Sequence, residues 1–201
     1  MSLKIVVISG KQGSGKTTTA ELVAQRLGQF PNYFVNHLTF ASIIYEMHDA
    51  VRAIGEKYGI EKNGPKDGLL LQILGTEWGR KTLGQDVWVK AVDKKIQSIA
   101  AEYISKDQLF NGPEKNMVFI VSDCRMKNEF DAFPMALRVR LACNEETRQS
   151  RCPAWRANTY HPSEIDLDDY ESEGKFDVVY RSDILNAQEI STMLASKILR
   201  A

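Results

Sequence analysis

The segment Lys4 to Leu27, KIVVISGKQGSGKTTTAELVAQRL, constrains the chain more than any other. Ile5 to Ile8 is continuously apolar, the pattern of a central parallel strand covered on both faces. Gly10, Gly15, Lys16 and Thr17 then satisfy G-x-x-x-x-G-K-[ST], and Gly13 adds a position where main chain can approach a ligand with no Cβ in the way. Behind the loop, Ala20, Val23, Ala24 and Leu27 recur at helical spacing, with Gly28 as the expected cap. Backbone N–H groups and a helix N-terminus therefore face one concavity, which attracts polyphosphate. Gly13, Ser14, Gly15, Lys16, Thr17 and Thr18 are the expected phosphate contacts. Lys16 reaches the β and γ phosphates, and the Thr17 hydroxyl ligates magnesium.

The composition, 43% hydrophobic and 26% charged, is globular, and 201 residues suffice for one domain with a substantial core. No apolar run approaches the ~20 residues that span a bilayer, and no leader-like apolar region follows Met1, so a cytosolic protein without membrane contact is expected. Lys and Arg total 26 and Asp and Glu total 26, so no excess positive field points to a nucleic-acid polymer. Cys124, Cys143 and Cys152 form no C-x-x-C pair and are expected to be free thiols.

Five candidate strands alternate with helical patterns: Leu3 to Ser9, Tyr33 to Phe40, Met117 to Ser122, Ala136 to Leu141 and Phe176 to Tyr180. The expected fold is a doubly wound α/β P-loop sheet of about five parallel strands with helices on both faces. A single domain 1–201 is read as a core (1–40, 110–143, 174–201), a helical acceptor-binding region (41–109) and a lid with linker (144–173). Phe40, Ile44, Met47, Val51, Ile54 and Tyr58 form one helical stripe expected in the core, and Ile60 to Gly68 reads as a surface loop. In Leu69 to Val92, Leu70, Ile73, Leu74 and Trp78 make a helical face that Gly79 and Gly84 are expected to interrupt. Asp86 is a candidate N-cap for the next helix. Trp78 is expected to be buried, and Arg80 and Trp88 to face a substrate pocket. A turn is expected at Asn111 to Pro113.

The third strand ends in Ser122, Asp123, Cys124, Arg125. Ligands gather at the carboxyl ends of strands in such sheets, so Asp123 and Arg125 belong near the phosphate loop, with Asp123 holding magnesium directly or through water. In the fourth strand Arg138 and Arg140 alternate with apolar residues, which predicts one polar face near the sheet edge. Asn144 is the expected cap of a short helix carrying Arg148 and Arg151 on one face, with Arg156 beyond; these arginines suit a lid over phosphates. Six acids between Glu164 and Glu173 read as a solvated linker. A kinase acting on a hydroxyl wants a base, whereas a nucleoside monophosphate acceptor already presents an anionic oxygen. A site of Lys16, magnesium and arginines without a histidine dyad fits the second requirement, where cations with good positioning suffice.

The phosphate loop, LLQILGTEWGR with GQDVWV (Leu70 to Val89), SDCRMKNE (Ser122 to Glu129) and HPSE (His161 to Glu164) together resemble the phage-type deoxynucleoside monophosphate kinases, in the same order and at comparable spacing. The resemblance implies transfer of the ATP γ-phosphoryl group to a deoxynucleoside monophosphate, with magnesium, and allows a homodimer. It places Asp123 and Arg125 in the acceptor and metal region, Trp88 and Glu129 against the acceptor nucleoside, Arg80 on a phosphate, and His161 and Glu164 near the site. Lys16, Arg125, Arg148 and Arg151 are the expected catalytic cations. The chain departs from the family at Ala142, where an arginine is common and Arg140 or Arg148 is the candidate replacement, and at Tyr180 to Asp183, which replaces the usual asparagine and glycine turn. The alternatives are another small-molecule kinase, such as one acting on dephospho-coenzyme A, or a nucleotide-binding ATPase or regulator.

Overall fold

The computed structural model describes residues 2–60, 67–110, 115–152 and 162–200. Five parallel strands form one sheet: β1 (Leu3–Ser9), β2 (Tyr33–Leu38), β3 (Asn116–Cys124), β4 (Leu137–Ala142) and β5 (Val178–Arg181), in the order β2-β3-β1-β4-β5. All five expected strands are present. This is the expected doubly wound α/β fold with the glycine-rich loop following β1, and the most apolar strands, β1 and β3, lie inside the sheet as their sequences require. Alternation sorts their side chains between two cores. Val6, Ile8, Val118 and Ile120 pack on one face with α1 (Lys16–Leu27) and α9 (Ala187–Arg200); Val7, Met117, Phe119 and Val121 pack on the other. Burying each such side chain contributes about 1.5–3 kcal/mol.

The second face is covered by α4 (Val87–Phe110), whose Trp88, Val92, Ile96 and Ala100 are buried at helical spacing. Between β2 and α4 run α2 (Ser42–Lys57) and α3 (Gly68–Gln72), the latter continuing directly into a π-helical segment, Ile73–Leu83. Gly79 therefore does not interrupt the helix as expected. The break comes at Gly84, which takes φ 123° and whose N–H closes a bond to the Gly79 carbonyl at 3.2 Å. The reason is packing, because the Trp88 ring lies against Gly79 and its Nε1 donates to the Gly75 carbonyl at 2.8 Å. A Cβ on Gly79 would collide with that ring and stand 2.8 Å from the Leu74 carbonyl oxygen. Gly79→Ala is expected to lower stability by about 1–3 kcal/mol through overpacking. A urea midpoint equal to that of the wild-type chain would show that the helix simply shifts to make room.

Two expectations of burial are corrected. Trp78 is 42% exposed, because the widened helix turns Gly75 and Gly79, not Trp78, towards α4. On α2, Phe40 just before the helix is buried and Ile44 and Met47 are half-buried, but Ile54 is 62% and Tyr58 72% exposed, with Val51 exposed as well. The apolar stripe outlasts the surface that α3 and the π-helical segment provide for it.

After β3 the chain forms α5 (Lys127–Asp131), then β4, α6 (Glu145–Arg151), α7 (Pro162–Ile165) and α8 (Asp168–Ser172) before β5. Asn144 caps α6 as expected, its Oδ1 accepting from Thr147 N at 2.8 Å. β4 does not present a solvated polar face. Arg140 is buried, and Arg138 stacks on Phe130 with its guanidinium carbon 4.5 Å from the ring centre. The expected loop lies in its residues 61–66 outside the described residues, as do the turn at Asn111 to Pro113, Arg156 and His161. Among the described residues no helix is long and apolar enough to cross a membrane.

Candidate active site

The phosphate loop joins β1 to α1. Gly15 precedes α1 in the left-handed region at φ 86°, and Gly13 takes φ 76°. Gly13 is also needed for contact, since a Cβ there would come within 2.6 Å of the Arg148 carbonyl oxygen. Glycine thus lets α6 press against the loop. Ser14 is buried, and its hydroxyl has no hydrogen-bond partner among the described residues. An orphaned donor inside a cradle of amides fits a phosphate oxygen. Thr17 and Thr18 open α1 on the exposed side.

Lys16 is buried, and its ammonium donates to the Gly10 carbonyl at 2.6 Å and the Lys11 carbonyl at 2.9 Å. Burial, with repulsion from Arg125 added, lowers its pKa to about 7, against the opposing charges of Glu164 and Asp123. The cradle therefore holds a cation strained by desolvation, which a bound anion would relieve.

A cleft of about 530 Å³ opens beside Thr17, and Arg80, Trp88, Asp123, Arg125 and Glu129 line it. Asp123 stands at the carboxyl end of β3, where its two oxygens accept from Phe40 N at 2.6 Å and Ala41 N at 2.9 Å. Burial raises its pKa, and those amides pull it back. Each oxygen keeps a lone pair, and Thr17 lies on the same cleft. One carboxylate, one hydroxyl and the phosphates of a nucleotide are the donor set magnesium favours, so the residues fit that ion. When bound, it would neutralise charge on the phosphates.

Trp88 and Glu129 reach the cleft wall with their polar atoms already engaged. Trp88 is only 3% exposed, with Nε1 on Gly75. Glu129, 4% exposed, accepts from Arg80 Nη2 and from the backbone N–H of Arg125 (2.8 Å) and Met126 (3.1 Å). Burial raises the Glu129 pKa, opposed first by the Arg125 amide and then by the Arg80 charge. It holds the cleft together by fixing Arg80 to the turn that carries Arg125.

The expected lid arginines separate. Arg148 is buried beside the phosphate loop, with Nη1 donating to the Gln12 carbonyl at 3.3 Å. Arg151 turns to the segment after β5 and donates to the Ser182 carbonyl at 2.8 Å. At the end of β5, Arg181 clasps Asp183 and lowers its pKa to about 2.

The acidic stretch is not a solvated linker. Glu164 accepts from Gln12 N and Arg125 Nη1, each at 2.9 Å. Asp168 binds Lys11 at 2.7 Å and Arg140 at 2.9 Å, while Glu171 takes Arg140 Nε at 2.7 Å. Arg140 also donates to Ser9 Oγ at 3.0 Å, directly beneath the loop. Charge counting along the chain misses this network, because the acids and their cations are far apart in sequence. Sequence reasoning also missed Arg140 as a buried cation and Phe40, Ile44 and Tyr45 as cleft walls. The position of Phe40 just beyond a strand's carboxyl end was the available signal.

The fold is similar to a shikimate kinase from Acinetobacter baumannii solved in complex with shikimate, at TM-score 0.52 and 13% identity over 98% of this chain and 94% of that one. It is equally similar to TT1252 from Thermus thermophilus, at TM-score 0.52 and 15% identity over 100% and 98%. No curated protein matches the sequence. A family model described as an AAA domain matches residues 6–173, which carry the phosphate loop, the cleft and the acidic segment, and the chain belongs to that family.

Proposed function

We propose that this protein is an ATP- and magnesium-dependent kinase that phosphorylates deoxynucleoside monophosphates to diphosphates. One observation carries the reading: three blocks that resemble the phage-type enzymes, far apart in sequence, contribute Thr17, Arg80 with Trp88, and Asp123 with Arg125 and Glu129 to a single cleft. Its volume of about 530 Å³ suits a small molecule. In this reading the amides of Gly13 to Thr18 and the Lys16 ammonium hold the ATP phosphates, and Thr17 and Asp123 hold magnesium. Arg125 and Arg80 receive the acceptor phosphate, and Phe40, Ile44 and Trp88 give the base an apolar wall. The acceptor's own phosphate oxygen is the nucleophile, so the protein's task is to bring two anions together and neutralise them.

A second reading has one observation in its favour. The raised Asp123 carboxyl, beside the phosphate loop, would suit a base for a hydroxyl acceptor. ADP release with ATP and magnesium, measured against deoxynucleoside and ribonucleoside monophosphates, dephospho-coenzyme A and shikimate, decides between them. Release that depends on particular deoxynucleotides supports the first reading. Release with only a hydroxyl acceptor replaces it, and release without any acceptor makes the protein an ATPase.

Arg125 is one-third exposed, so its removal should perturb chemistry more than folding. Arg125→Ala is expected to raise the acceptor KM and lower kcat, with a combined loss of about 10²-fold. Unchanged acceptor kinetics would make Arg125 a structural partner of Glu164 only.

A further inference from the structure

Glu164 occupies an unusual place. Its side chain is 11% exposed, with one oxygen on the phosphate loop and the other on Arg125. One accepts from the Gln12 backbone N–H at 2.9 Å, with Arg148 Nη1 3.8 Å away; the other accepts from Arg125 Nη1 at 2.9 Å. A loop amide and two arginines thus converge on one carboxylate. The same donor chemistry, amides plus guanidinium groups, recognises phosphoryl oxygens. Lys16 meanwhile rests on the loop's own carbonyls. The segment is tied down a second time one helix later, where Asp168 bridges Lys11 and Arg140.

We propose that the Glu164 carboxylate is a built-in surrogate for a phosphoryl group, holding the Gln12 amide, Arg125 and Arg148 in the empty enzyme and yielding them to a phosphate of the incoming polyphosphate. The inference rests on the proposed function only for the identity of that ligand. The exchange favours the ligand for two reasons. A terminal phosphate brings a charge of about −1.5 to −2 and three strong acceptor oxygens, against one charge and two oxygens on the carboxylate. The third oxygen of a phosphate can also come within hydrogen-bond range of Arg148 Nη1, which stands 3.8 Å from Glu164. Glu164 and Asp123 are the anions that offset the repulsion between Lys16 and Arg125, so without Glu164 that repulsion would be less well balanced. The carboxylate thus keeps the cationic site assembled while opposing its occupation, and release of the acidic segment becomes coupled to ligand entry.

The test uses inorganic tripolyphosphate with magnesium, so that it does not depend on phosphoryl transfer. By calorimetry, Glu164→Gln, which keeps the shape and removes the charge, is expected to bind it about tenfold more tightly than the wild-type chain, the size of one lost charge-assisted competitor. Asp168→Asn removes the same charge from the same segment but not from Arg125 or Arg148, and is expected to change affinity less than about threefold. In the wild-type chain, amide hydrogen exchange across residues 162–172 is expected to rise when tripolyphosphate saturates the site. Should Glu164→Gln fold poorly, Glu164→Asp, which withdraws the carboxylate by one methylene, is expected to give a smaller gain in the same direction. Affinity that falls or stays level in these variants, an equal gain in Asp168→Asn, or stronger protection of 162–172 on binding would each overturn the exchange and leave Glu164 a fixed positioning residue. Tighter tripolyphosphate binding in a protein that releases no ADP with any acceptor would overturn the kinase reading and leave the exchange standing.

Discussion

Lys16→Ala is expected to lower phosphoryl transfer by roughly 10³-fold, the scale of removing one preorganised charge donor from a transition state that accumulates negative charge, while the protein stays folded. The fold should survive because Lys16 is a buried cation whose ammonium rests on the carbonyls of its own loop, Gly10 and Lys11, and not on the hydrophobic core. Its pKa of about 7, against an ordinary 10.5, means that folding works against its charge. The sign follows. Between pH 7 and 10.5 the unfolded chain binds more protons at this lysine than the native one, so wild-type stability gains from this group as pH rises through that window. The gain is complete above 10.5 and lost as pH falls through 7. Lys16→Ala should lack this component and be at least as stable as wild type near pH 7. Polyphosphate beside the ammonium would raise its pKa again, so ligand binding above pH 7 is expected to take up protons, with affinity increasing as pH falls towards 7. Calorimetry in two buffers of different ionisation enthalpy reads that uptake. Full turnover in Lys16→Ala, or identical heats in both buffers, would remove Lys16 from the phosphate site.

The largest loss of stability is expected from Glu129→Ala, at about 3–5 kcal/mol, because it removes the buried carboxylate paired with the half-buried Arg80 guanidinium and orphans two backbone N–H groups at once. Glu129→Gln keeps an acceptor for the amides and should cost less. Urea unfolding of both variants and of Arg80→Ala completes the test. If the ion pair dominates, removing both partners together should cost clearly less than the sum of the single losses. Glu129→Ala should also weaken acceptor use, because Arg80 and Arg125 lose the group that fixes them. A loss under about 1 kcal/mol would mean that solvent reaches the pair and screens it.

The readings that succeeded from sequence rest on local regularities. Continuous apolar runs marked β1 and β3 as interior strands, and the spacing of glycines with Lys16 and Thr17 marked the phosphate loop, since both are dictated by neighbours within a few residues. Asp123 and Arg125 were placed by a rule of parallel sheets, that function gathers at strand ends, and they do line the cleft at Thr17. Trp78, Val51, Ile54 and Tyr58 failed for the converse reason. Periodicity reports that a helix has an apolar face, and cannot report whether anything is there to cover it. The π-helical register decided which residues met Trp88, and so exchanged the burial of Trp78 for that of Gly75 and Gly79.

By itself the sequence determined the strand–loop–helix unit and the strand count, because a strand buried on both faces and a loop of amides admit few side chains. Only the tertiary structure decided how the charges pair. Glu164 reaches Gln12 and Arg125 across 152 and 39 positions, and Arg140 meets Ser9 across 131. Electrostatic energy depends on distance and on exclusion of water, neither of which is written along the chain.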